Sequence, residues 1–138
     1  MSKLYIYAHT LIDGVNEQPK HEQLVTIEED TITHIEDYHD INEDVIEVNT
    51  LTPGFFNCHV HILYPVGFSF NKEFSLIEKA FYAKKHCEQY LKSGVTFIRV
   101  VGTEEDYDLQ IKEAIENGII PGPHMYCAGK VICMTGGH

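Results

Sequence analysis

The hydrophobic period of the chain changes near residue 50, and this change limits the folds that the sequence can adopt. Before that point, residues 3–7, 23–27 and 31–35 alternate apolar and polar side chains, which is typical of half-exposed strands. After it, strand-like and helix-like stretches follow one another along the chain. The first pattern predicts a small antiparallel sheet, and the second predicts a parallel sheet with crossover helices.

The charge of the chain changes at the same place. Residues 1–50 hold twelve Asp and Glu against two Lys, whereas the remaining residues hold nine acids against eight bases. The formal net charge of −11 argues against a nucleic-acid or anionic-membrane partner, because such partners attract basic surfaces. We therefore expect two units, residues 1–51 and 52–138, of which the first is too small to bury both faces of its sheet alone.

The second unit is expected to contain three strands joined by two helices. These elements are predicted at residues 55–62, 75–93, 95–101, 106–117 and 125–128. Ser75 and Glu78 have the spacing of a capping box at the start of the first helix, and Gly94 is placed to end it. The nearly continuous apolar run at residues 95–101 is typical of a parallel strand covered on both faces.

The cysteines and the apolar segments bear on the location of the protein. No run of about 18 apolar residues is present, and no secretory signal is visible at the start, so we expect a cytoplasmic protein without a membrane partner. The four cysteines lie at wide and unequal spacings, which favours reduced thiols over disulfides or a cysteine-based zinc site. Cys58 is expected to be a small buried side chain.

His59 and His61 stand two residues apart at the end of the first strand of the second unit. Alternate residues of a strand point to the same side, with Cα atoms about 6.6–6.8 Å apart, so both imidazoles can reach one metal ion at about 2.0–2.1 Å. Val60 between them would face the helices. A chain with nine histidines also produces such a pair by chance, and the spacing alone leaves both interpretations open.

The surroundings of this pair resemble the first barrel strand of the amidohydrolase superfamily. The pattern there is Pro-Gly, two apolar residues, usually Asp, one free position and His-x-His, and the stretch here reads Thr52-Pro53-Gly54-Phe55-Phe56-Asn57-Cys58-His59-Val60-His61. Residues 93–99, 118–123 and 135–138 are similar, in order, to the second strand, the approach to the third and the end of the third in the imidazolonepropionase and prolidase-like branches. Asn57, Val100 and His124 depart from the residues usual at their positions.

The resemblance implies an α/β fold, namely the N-terminal part of a TIM (β/α)8 barrel with about three β/α units. A small antiparallel β-sandwich segment, residues 1–51, would precede it. The implied activity of the complete protein is metal-dependent hydrolysis of a C–N bond in a small amide, dipeptide or cyclic amide. The complete protein is also expected to be a homo-oligomer.

The same resemblance implies roles for individual residues. His59 and His61 would bind a divalent metal, zinc first among the candidates, as one or two ions, and His138 would contact substrate. The other ligands and the general base would lie beyond residue 138, so no catalytic residue is expected here and the chain alone would be an inactive fragment. The alternative is a non-catalytic α/β module that binds a partner, without metal, through its open sheet edges.

Overall fold

The computed structural model describes residues 2–67 and 72–135. The chain divides into two compact units, Met1–Pro53 and Gly54–His138. Neither of the two helices within the described ranges is long and apolar enough to cross a bilayer.

The first unit is a four-stranded sheet with the order β3-β2-β1-β4. Its strands are β1 (Lys3–Leu11), β2 (Lys20–Glu28), β3 (Thr31–Asp37) and β4 (Val45–Leu51). The pairs β1–β2 and β2–β3 are antiparallel, but β4 pairs with β1 in parallel, so the purely antiparallel sheet predicted from the sequence is wrong. The chain leaves β3 at one edge and returns on the far side of β1, and no local pattern in the sequence encodes that crossing.

A small cluster of apolar side chains stabilises this sheet. Ala8, Leu11 and Val25 are buried in it, and neighbouring side chains of β1, β2 and β4 pack around them. The carboxylate of Asp13 accepts hydrogen bonds from the backbone N–H groups of Val15 and Asn16, both at 2.9 Å, which stabilises the turn after β1. These bonds hold the pKa of Asp13 well below its usual value.

The second unit is a parallel sheet with the order β5-β6-β7 and a helix in each crossover. Its elements are β5 (Phe55–Val60), α1 (Leu76–Lys92), β6 (Val95–Val100), α2 (Tyr107–Glu116) and β7 (His124–Cys127). The predicted alternation of strands and helices is confirmed. Helix α1 begins at the predicted capping box, in which the Ser75 N–H donates to the Glu78 carboxylate at 2.9 Å, and it ends before Gly94, whose φ is 80°.

The helices cover one face of this sheet. Buried side chains of the strands, with Ile98 and Val100 fully enclosed, pack against Ala83 of α1 and against residues of α2. The other face is open, and Phe56 is 68% exposed there. Most of β5 is therefore exposed, and the expectation that the strand at residues 95–101 is covered on both faces is wrong, because helices cover only one side of the sheet.

Candidate functional site

The two histidines singled out by their spacing lie side by side at the carboxyl end of β5. His59 lies within the strand, His61 follows it directly, and both are exposed. Val60 between them is 4% exposed and packs in the core. The centroids of the two imidazole rings are 5.6 Å apart, and the ring planes are inclined by 74°.

The distance between the two rings is close to the distance expected when two imidazoles bind the same metal ion. Two imidazoles that bind one tetrahedral ion at about 2.0–2.1 Å have ring centroids roughly 5 Å apart, so the pair fits a common metal with a small movement. Within residues 2–67 and 72–135, no group of three or more His, Cys, Asp and Glu is placed to hold a metal. His138, predicted to contact substrate, lies outside the described residues.

A β-bulge lies between Asn57 and Val60, in the part of β5 that carries His59. Asn57 pairs with Ile98 and Val60 with Val100, so three steps along β5 oppose two steps along β6, which leaves one extra residue. The extra residue interrupts the alternation of faces, and Cys58 is exposed beside His59. The prediction of a buried Cys58 is therefore wrong, because it assumed an unbroken strand.

Charged and polar side chains from three segments meet beside His61. The Glu104 carboxylate accepts hydrogen bonds from the Tyr64 hydroxyl and from the Lys79 ammonium. The Lys79 side chain is only 12% exposed, and its ammonium lies 5.3 Å from the centroid of the Tyr64 ring. Sequence reasoning missed this cluster, because its members lie far apart along the chain.

The same side chains line a cavity. It has a volume of about 770 Å³, and His61 is one of the residues that line it. Leu63, Phe74 and Val131 supply apolar wall, and the Tyr64–Glu104–Lys79 cluster supplies polar groups. The cavity therefore offers both apolar surface and charge next to one of the two candidate ligands.

A buried carboxylate joins the loops that follow β6 and β7. Asp108, fully buried in α2, accepts hydrogen bonds from the Thr103 hydroxyl at 3.1 Å and from the N–H groups of Leu109 at 3.0 Å and Gly129 at 2.9 Å. Because parallel strands end at the same edge of a sheet, these loops lie at the same edge as His61. Asp108 thereby holds the part of the chain that borders the cavity.

Much of the chain matches the sequence pattern of a known protein family. The pattern of the amidohydrolase family matches residues 50–135. The chain belongs to the amidohydrolase family. The superfamily expected from the motif around His59 is therefore confirmed.

Similar proteins include an ochratoxinase and a Xaa-Pro dipeptidase. Ochratoxinase of Aspergillus niger is 28% identical over 148 aligned residues, which cover 96% of this chain and 29% of the relative. A crystal structure of a Xaa-Pro dipeptidase with bound methionine in its active site superposes with a TM-score of 0.88 at 32% identity, and the match covers 99% of this chain and 36% of that one.

A prolidase complexed with N-methylphosphonate-L-proline superposes with a TM-score of 0.79 at 26% identity, covering 99% of this chain and 34% of that one. The chain thus spans about a third of the length of the relatives that it matches. These structures share the α/β arrangement described above.

Proposed function

We propose that this chain is the N-terminal part of a hydrolase that cleaves C–N bonds, and that His59 and His61 bind its divalent metal ion. The observation that supports this most strongly is the 5.6 Å separation of two exposed imidazoles at the carboxyl end of β5 in an amidohydrolase. The strands β5 to β7 would be the first three of a (β/α)8 barrel, whose active sites lie at that end. The first sheet would be part of a β-sandwich.

The residues of the chain would contribute in distinct ways. A bound divalent ion supplies the charge that activates water and polarises a carbonyl group. His59 and His61 would hold that ion, and zinc is the first candidate among the metals that imidazole ligands suit. Two protein ligands fall short of the three or more that catalytic zinc sites use, so the remaining ligands and the general base would come from residues after His138.

The cavity beside His61 would accept part of the substrate. Its apolar wall at Leu63 and Phe74 suits a carbon skeleton, and its charged cluster suits a polar end group. A small amide or dipeptide is the favoured substrate, because the similar proteins are named as a Xaa-Pro dipeptidase, a prolidase and an ochratoxinase. The homo-oligomer and the cytoplasmic location expected from the sequence stay predictions.

The test compares metal content and C–N hydrolysis in the full-length protein and in His59→Ala and His61→Ala. Both variants should lose bound zinc and hydrolysis of a panel of dipeptides and N-acyl amino acids. His34→Ala, at an exposed histidine of β3, is the matched control and should keep both. Equal zinc content in all four proteins would contradict the ligand assignment.

A second candidate is a partner-binding module without metal. The aromatic residues Phe56, Phe97 and Tyr126 form a row across the open face of the sheet, with successive ring centroids 4.8 and 4.9 Å apart, and this exposed row favours a protein contact. A stable, monodisperse 138-residue chain that neither binds zinc nor hydrolyses any substrate of the panel would support this candidate.

A further inference from the structure

Helix α1 carries an imidazole, that of His86, next to the backbone that follows His61. The Nδ1 atom of His86 lies 2.8 Å from the carbonyl oxygen of Ile62, the residue that follows His61. Because a carbonyl oxygen only accepts hydrogen bonds, Nδ1 carries the proton and donates it. The bond links α1 directly to the backbone next to His61.

The position of this bond matters because the sheet no longer holds the chain there. The pairing of β5 with β6 ends at Val60, whose carbonyl accepts a long hydrogen bond of 3.3 Å from the Val101 N–H. His59 is inside the ladder and His61 is beyond it. The direction of the His61 ring therefore depends on whatever holds the backbone after Val60.

The His86 ring is itself held in place. The Tyr82 ring, one helical turn earlier, stacks on it with centroids 6.2 Å apart and planes inclined by 26°, and Tyr82 in turn meets Phe74 edge to face at 5.7 Å. His86 also lines a cavity of about 230 Å³ together with His61. The imidazole is thus fixed on one side by an aromatic ring and on the other by the Ile62 carbonyl.

We infer that His86 is a positioning residue for His61, and that its Nδ1–H bond to the Ile62 carbonyl sets the angle at which His61 approaches a metal. The inference rests on the proposed function, in which His61 is a ligand. Groups that orient ligands typically change metal affinity about 10–100-fold when they are removed. His86 contacts neither metal nor substrate in this role.

The experiment measures the Zn²⁺ dissociation constant of the full-length protein by competition with a chromophoric chelator. His86→Leu removes the donor and should weaken binding about ten-fold or more, whereas His86→Asn places an amide N–H where Nδ1–H was and should stay within about three-fold of wild type. The visible spectrum of the Co²⁺ form should change in His86→Leu and be retained in His86→Asn.

A control on the same helix separates positioning from stability. Cys87→Ala truncates a buried neighbour, so it should lower the free energy of unfolding without changing Zn²⁺ affinity. Wild-type affinity in His86→Leu, or equal losses in His86→Leu and His86→Asn, would overturn the inference. If His86→Leu does not fold, His86→Met replaces it, because its flexible apolar side chain adapts to the site and carries no donor for the Ile62 carbonyl.

Zn²⁺ binding by the wild type and by His59→Ala distinguishes failure of the proposed metal site from failure of the role of His86. A wild-type protein that binds no Zn²⁺, or an unchanged dissociation constant in His59→Ala, would overturn the metal site and this inference together. Loss of binding in His59→Ala with unchanged binding in every His86 variant would overturn only the role of His86.

Discussion

Gly54 and Thr96 are packed so closely that a Cβ built on Gly54 would lie 2.7 Å from the Cβ of Thr96. The contact brings the start of β5 against β6, where the Phe55 N–H donates to the Gly94 carbonyl at 2.8 Å. The glycine of the Pro-Gly motif is therefore needed for the approach of two strands, and the motif has a structural reason independent of metal binding.

Gly54→Ala should destabilise the second unit by about 1–3 kcal/mol, because the added methyl group forces the strands apart. Urea unfolding followed by fluorescence or circular dichroism measures the loss. In a Thr96→Gly background the same substitution should cost much less, because the opposing side chain is gone. Equal costs in the two backgrounds would show that the overlap is not the cause.

Asp108→Asn should lower the free energy of unfolding by about 1–3 kcal/mol, because the amide NH2 cannot accept the hydrogen bonds that the buried carboxylate receives. Glu113→Gln, at an exposed carboxylate of the same helix, is the control and should change stability by less than about 0.5 kcal/mol. Denaturant midpoints that fall equally in both variants would contradict a special role for Asp108.

The first unit should lose stability as the pH rises above the ordinary pKa of histidine, about 6.5. Protonated His9 donates from Nε2 to the Glu47 carboxylate at 2.8 Å and from Nδ1 to the Glu22 carboxylate at 3.3 Å, and these two bonds raise the pKa of His9 above its ordinary value. Since the pKa is higher in the folded state, the stabilisation is fully present below the unfolded pKa of about 6.5 and is lost as the pH rises through the folded pKa.

His9→Gln tests this pH dependence, with Tyr7, which also contacts Glu22 and His9, left in place. The difference in melting temperature between wild type and His9→Gln should shrink as the pH rises from about 5.5 to 8.5. An NMR titration of His9 gives its folded pKa directly. A difference that stays constant over this range, or a pKa at or below the ordinary value, would refute the coupling.

The cysteines should differ in reactivity toward iodoacetamide at about pH 8. Burial raises the pKa of the Cys87 thiol and of the Cys127 thiol to about 11, which leaves few thiolates, whereas Cys58 and Cys133 are exposed. Mass spectrometry of the briefly labelled native protein should find the label on Cys58 and Cys133 and not on the buried Cys87 or the half-buried Cys127. In urea all four should react, and native labelling of Cys87 as fast as Cys58 would contradict the packing described above.

Features encoded over a few residues were predictable from the sequence. Helix α1 has the predicted ends because its capping box and its terminal glycine act through bonds within one turn. The side-by-side placement of His59 and His61 follows from the two-residue period of an extended chain. The superfamily was also predictable, from the order and spacing of four short motifs of which Pro-Gly with His-x-His is the first.

Features that depend on distant partners were decided by the tertiary structure. Four features each join residues that are separated by many positions in the sequence. They are the parallel pairing of β4 with β1, the bulge that exposes Cys58, the burial of Asp108 and the bond from His86 to Ile62. Sequence periodicity shows which side of an element is apolar, but it carries no information on which other element that side meets. The contacts around His61 therefore became visible only when the strands and helices were packed together.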